Sequence, residues 1–152
     1  EATKRFASEA LDPDMNLYGI HAFCHKNIFE AVYCPNLLMR SCDVLVTKPS
    51  ELAFYPVPKL FIKRIGGHEM WGAIHSAEIG DGTLECRDIP HTLQMIDLFL
   101  KDDLFLSDMC ENIRIQGEGI TIPYHSVYGA LAAIPRKVKY NTLFYGVKCC
   151  IY

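Results

Sequence analysis

The chain has 152 residues, 50% of them hydrophobic and 22% charged, with a formal net charge of −3. That length suits one domain with a core, and that composition excludes a disordered chain. The acidic balance and scattered Lys and Arg argue against nucleic-acid binding, and the absence of a run of about 18 apolar residues argues against a membrane-spanning helix.

In chain order, residues 1–10 predict a helix, ended by the turn Asp12-Pro13-Asp14. Asn16 to Phe23 reads as a strand. Ile28 to Met39 has helical spacing, and Pro35 predicts a kink or a restart at Asn36. Val44-Leu45-Val46 is apolar on both faces, as buried parallel strands are. Glu51 to Tyr55 predicts one or two helical turns, stopped by Pro56 and Pro58, and Leu60-Phe61-Ile62 is the next buried strand. Gly66-Gly67 opens a loop. A helix follows from His68 to Glu78, with Met70, Ala73, Ile74 and Ala77 on its apolar face and Trp71 assigned to packing. Gly80-Asp81-Gly82 is a turn. Thr92 to Leu100 and Asp103 to Ile113 are amphipathic helices, the second capped from Asp102-Asp103. Beyond Ile113 the pattern weakens: 114–123 reads as loop and strand, 124–133 as helix and 137–147 as a Tyr-rich strand.

The helix–strand alternation predicts an α/β fold, a Rossmann-like parallel sheet flanked by helices with right-handed crossovers. Residues 1–115 are assigned to this domain, short of its first strand, and 116–152 to a C-terminal extension packed on it. The seven cysteines are odd in number and lack a disulfide spacing. With no export signal they read as reduced thiols in a cytoplasmic protein. The start at Glu1, inside a helical pattern and without Met, reads as a fragment or a trimmed chain.

Chemistry concentrates after the two central strands, where open α/β sheets bind ligands. Glu51, one residue into a helix after Ser50, can accept both hydroxyls of a ribose, and the helix start beside it favours phosphate; the pair also suits a plain cap. Lys63 and Arg64 suit a pyrophosphate. Gly66 and Gly67 let backbone approach a ligand, and His68 and Glu69 open the next helix; a solvated loop is the alternative. Lys48 completes the set. His21, Cys24, His25 and Cys34 lack the paired spacing of a zinc site, so no metal is assigned. Cys24 and Cys42 have no evident activating partner.

The segments CDVLVTKP, SELAFYPVP, KLFIK and GGHEMWGA, in this order, resemble the C-terminal donor-binding half of GT-B glycosyltransferases. The similarity is to the branch of the lipid II-forming N-acetylglucosaminyltransferase and the monogalactosyldiacylglycerol synthases, and it covers roughly residues 14–115. The resemblance implies a UDP-sugar as ligand. By it, Glu51 holds the ribose, Ser50 precedes it, and His68 and Glu69 contact donor-sugar hydroxyls. It implies transfer of a hexose or N-acetylhexosamine to an acceptor hydroxyl, with no cofactor. The glycine-rich turn of that family is shortened here to Lys48-Pro49. The acceptor domain, which supplies the catalytic base in such enzymes, is absent, so catalytic residues are left unassigned. A partner domain or a homodimer is expected to complete the molecule. The alternative is a non-catalytic interaction or structural domain that keeps the fold without the chemistry. A cysteine- or metal-dependent redox protein is the third.

Overall fold

In a computed structural model of the chain, residues 1–12, 14–15, 17–50 and 55–119 are described. They form two compact units, Glu1–Cys42 and the remainder from Asp43. The expected helix at 124–133 and strand at 137–147, and most of the helix at 51–55, lie outside the described residues.

The first unit is helical. Helix α1 (Ala2–Leu11) buries Thr3, Phe6 and Ala7. Helix α2 (Ile28–Leu38) is capped by Asn27, whose side chain accepts from the Phe29 N–H at 2.8 Å. It runs through Pro35 without a restart and ends in a 3-10 turn, Met39–Ser41. The strand expected over 16–23 does not form: the described residues from 17 to 27 are irregular, with Gly19 at φ 92°. Tyr18 and Ile20 are exposed there, and Phe23 is partly buried. Phe6 of α1 meets the rings of His21 at 4.6 Å and Phe23 at 5.1 Å, so aromatic contact replaces a ladder.

The second unit is mixed α/β. Strands β1 (Leu45–Thr47) and β2 (Lys59–Phe61) pair in parallel, with Val46 opposite Leu60. The segment Asp81–Cys86 lies along the other edge of β2. The Lys59 N–H donates to the Asp81 carbonyl at 3.0 Å, Thr83 N–H to the Lys59 carbonyl at 2.9 Å, and Cys86 N–H to the Phe61 carbonyl at 2.8 Å. Between them the Thr83 hydroxyl accepts the Phe61 N–H at 3.1 Å, in place of a backbone carbonyl. That substitution breaks the ladder, so the third segment is a single bridge at Gly82 and not a regular strand.

Helices cover both faces of this small sheet. Val44, Val46, Leu60 and Cys86 pack with Ile96 and Phe99 of α4 (Ile89–Lys101) and Leu106 and Met109 of α5 (Asp103–Gly119). On the other face lies α3 (Met70–Ile79), entered through a 3-10 turn, Gly67–Glu69. A β-carbon on Gly82 would meet Ser76 of α3, Lys59 and Phe61 at 3.0–3.1 Å, which places those three side chains around one point. Helix α4 starts three residues before the expected Thr92. Asp88 caps it through the His91 N–H at 2.8 Å, and Pro90 sits in the first turn, where its missing N–H costs nothing. Asp102 caps α5 through the Leu104 and Phe105 N–H groups at 3.0 and 3.1 Å. Residues 114–119 continue that helix, against the loop and strand expected there.

Two details set how α3 lies. Gly72 faces the turn after β1: a β-carbon there would be 2.1 Å from the Pro49 carbonyl oxygen. With Gly72, Ala73 and Ser76 turned inward, Trp71 is left on the opposite side at 67% exposed, which corrects its assignment to packing. At the far end Gly80 ends the helix at φ 75°. The Asn112 and Gln116 amides of α5 donate to the Gly80 and Ile79 carbonyls at 3.0 and 2.8 Å.

Lys59, fully buried, forms an ion pair with buried Asp81 at the amino end of β2. Burial pushes the Lys59 ammonium below its usual range, and the Asp81 charge opposes that shift. Removing one partner strands the other in a dry interior. Lys59→Met is therefore predicted to lower unfolding stability in urea by about 3–5 kcal/mol, and Lys59→Met with Asp81→Asn to recover part of that loss; a single variant as stable as the parent would refute the buried pair. Gly72→Ala should cost roughly 1–3 kcal/mol by overpacking, whereas Gly67→Ala, where no atom lies within 4 Å, should stay within about 0.5 kcal/mol.

Candidate functional site

Parallel strands leave their last carbonyls and the following loops at one rim, and β1 and β2 are neighbours there. The turn after β1 holds Lys48, Pro49 and Ser50; the loop after β2 runs from Ile62 to the 3-10 turn at Gly67. One side chain joins them. The Ser50 hydroxyl donates to Glu69 Oε1 at 2.8 Å, across 19 residues of sequence. Glu69 Oε2 accepts the N–H groups of Ile65 at 2.7 Å and Gly66 at 3.2 Å. Glu69 N–H in turn donates to the Gly66 carbonyl at 3.2 Å. The loop is thus closed on itself and tied to the turn beside it by one buried carboxylate.

The same bonds set the electrostatics. The Ile65 N–H first, then the Ser50 hydroxyl, hold the Glu69 carboxyl below its usual range against the opposing effect of burial; Gly66 N–H and the Lys48 charge add to them. Lys48 is half-buried. Arg64 turns to the third segment: its N–H donates to Glu85 Oε1 at 2.9 Å, and its guanidinium lies 3.4 Å from Glu85 Oε2. Lys63 and His68 are exposed. The His68 ring folds over Gly66, where a β-carbon would lie 2.7 Å from it, while Gly67 stands open.

Of the nine residues named from sequence, Ser50, Gly66, His68 and Glu69 come together, with Lys48 close enough to act on Glu69 through its charge. Lys63 and Arg64 sit on the same loop, but Arg64 is engaged with Glu85. Glu51 lies outside the described residues. Glu85 was not named from sequence, and a lone Glu in a stretch of mixed polarity carries no signal of its role. Of the HAFCH residues, His21 meets the Phe6 ring and His25 lies 3.5 Å from Glu30. Among the described residues no three His, Cys, Asp or Glu side chains gather as metal ligands. Among the same residues no helix is long and apolar enough to cross a membrane.

A carboxyl group whose pKa is lower folded than unfolded stabilises the fold above its unfolded value, near 4.3 for Glu. That contribution is lost as pH falls through the lower, folded value. The stability difference between the parent and Glu69→Gln should therefore be flat above about pH 5 and shrink as the pH falls below it. Urea denaturation at a series of pH values reads this directly, and a difference that does not change with pH contradicts it. Ser50→Ala should cost roughly 1–2 kcal/mol at neutral pH, as the loss of a hydrogen bond to a charged group.

No curated protein and no solved structure matches the chain. Residues 1–133 match the family described as a domain of unknown function, DUF6938, and the chain belongs to that family.

Proposed function

We propose that the second unit is a Rossmann-like donor domain of GT-B type that binds a nucleotide diphosphate sugar, a UDP-sugar, at the carboxyl rim of β1 and β2. In a complete enzyme it would serve transfer of the hexose or N-acetylhexosamine to an acceptor hydroxyl. One observation carries the reading: the Ser50–Glu69 hydrogen bond brings the loops after two adjacent parallel strands into one cluster. That is the place where open parallel sheets take ligands. Lys48, Lys63 and His68 supply donors and positive charge for a diphosphate. Glu51 is the proposed ribose ligand.

A second reading has its own observation. Both oxygens of Glu69 are already engaged by Ser50, Ile65 and Gly66, which leaves little of that carboxylate for sugar hydroxyls. A non-catalytic interaction or structural domain needs nothing more from it.

Titrating UDP while following thermal unfolding separates the two. Under the first reading, UDP at about 100 times its dissociation constant stabilises the chain by roughly 2.7 kcal/mol. Glu51→Ala then weakens UDP binding by more than about 1 kcal/mol without unfolding the domain. No stabilisation at millimolar UDP favours the second reading. Unchanged UDP binding in Glu51→Ala, with lower stability, reduces Glu51 to a helix cap.

A further inference from the structure

At the end of β2 away from the rim, three polar side chains from three elements sit inside the protein. Lys59 opens β2, Ser76 lies in α3, and Asp81 opens the segment that runs along β2. Lys59 and Ser76 are fully buried, and Asp81 is 5% exposed. The backbone gathers them. The Asp81 and Gly82 N–H groups both donate to the Ser76 carbonyl, at 3.0 and 3.3 Å, and the Lys59 N–H donates to the Asp81 carbonyl at 3.0 Å. A β-carbon on Gly82 would crowd those of Ser76 and Lys59 at 3.0 and 3.1 Å, so the glycine keeps its own bulk out of the cluster.

Much of their hydrogen-bonding capacity is unused. An ammonium has three N–H donors, and among the described residues Lys59 has one acceptor, Asp81 Oδ2. Asp81 Oδ1 and Ser76 Oγ have no partner among the same residues. A serine within a helix can satisfy its hydroxyl on the carbonyl four residues earlier, here that of Gly72; Ser76 does not. A bare hydroxyl and a half-engaged carboxylate are both costly away from solvent. What is left over is spare donors on Lys59 and spare acceptors on Asp81 and Ser76. The complement to such a set both accepts and donates, and it is small and uncharged. A metal cation does not fit, because the Lys59 charge opposes it.

We infer that Lys59, Asp81 and Ser76 form a binding site for one internal water molecule. The water accepts an N–H from Lys59, donates one proton to Asp81 Oδ1 and shares a hydrogen bond with Ser76 Oγ. Three partners is the usual number for a buried water. Through it the ion pair, which joins β2 to the Asp81–Cys86 segment, reaches α3 as well. Ser76 is thus a positioning residue that acts on the pair through the water. None of this depends on the nucleotide-sugar reading, since the cluster lies at the opposite end of β2 from the rim.

Two measurements test the site: a crystal structure of the parent chain at a resolution that shows ordered water, and the thermal midpoint of Ser76→Ala. The expected density is one water within hydrogen-bond distance of Lys59 Nζ, Asp81 Oδ1 and Ser76 Oγ. Ser76→Ala removes one of the water's partners, and the midpoint should fall by roughly 2–8 °C. A bare hydroxyl predicts the opposite sign, because alanine is the better helix former and takes an unpaired polar group out of the interior. A midpoint that rises or stays where it was overturns the inference. So does a crystal structure in which Ser76 Oγ bonds directly to Asp81 Oδ1 or to the Gly72 carbonyl, with no water against Asp81. Neither measurement involves UDP, so failure here leaves the UDP experiment untouched, and the reverse holds.

Discussion

Loops that leave adjacent parallel strands outrun the ladder that aligned them, and their backbone groups need new partners as soon as the strands end. In the second unit Glu69 meets that need. Its carboxylate takes two N–H groups of the loop after β2 and the hydroxyl of the turn after β1. Its own N–H closes the loop on Gly66. The rim therefore has a defined shape before any ligand arrives, which is what a binding site requires if it is not to spend affinity on ordering its own loops.

The opposite end of β2 solves a different problem with the same kind of group. Lys59 and Asp81 neutralise each other inside the protein, where ammonium and carboxylate lose the water that would otherwise solvate them. Only one Asp81 oxygen is engaged; the other, like the Ser76 hydroxyl beside it, has no partner. A buried pair of this kind is a poor source of net stability and a strong constraint on arrangement. It ties the start of β2 to the start of the Asp81–Cys86 segment, whose ladder is interrupted at Thr83 and would otherwise be weakly specified. So β2 is anchored at both ends through carboxylates: Asp81 in the core at one, Glu69 under the rim loops at the other.

What the sequence disclosed follows from which physical signals are local. Val44–Val46 and Leu60–Ile62 are apolar on both faces, and both strands lie within a residue of the expected place. The caps Asp88 and Asp102 and the C-terminal Gly80 are local motifs as well, although Pro90 concealed the first. Lys59 was illegible as a core residue because a lysine reads as surface unless its partner, 22 residues on, is known. Gly72 carries no local signal; its reason is the Pro49 carbonyl, a contact between segments. Trp71 was misread for the same cause, since the roll of α3 is set by that contact and not by the helix's own pattern. The strand expected at 16–23 failed because β propensity without a neighbouring strand has nothing to pair with, and His21 and Phe23 there meet Phe6 instead. At the rim, the residue types were readable, but the direction of Glu69, inward to its own loop, was not.

That direction bears on where a diphosphate would rest. A glycine-rich turn after the first strand presents several backbone N–H groups to phosphate oxygens. Here the turn is Lys48-Pro49: proline has no N–H to offer, and the Pro49 carbonyl is packed against Gly72 of α3. The N–H groups of Ile65 and Gly66 are taken by Glu69, and the Arg64 guanidinium by Glu85. The Ile65 and Gly66 N–H groups are thus not open to a phosphate, while Lys63 and His68 present exposed side chains. Exposed ammonium and imidazole groups hold an anion through screened, less directional attraction. A ligand on this rim would therefore draw its specificity from hydroxyl and base contacts more than from its phosphates, and its affinity would fall with added salt more steeply than that of a ligand cradled by backbone amides.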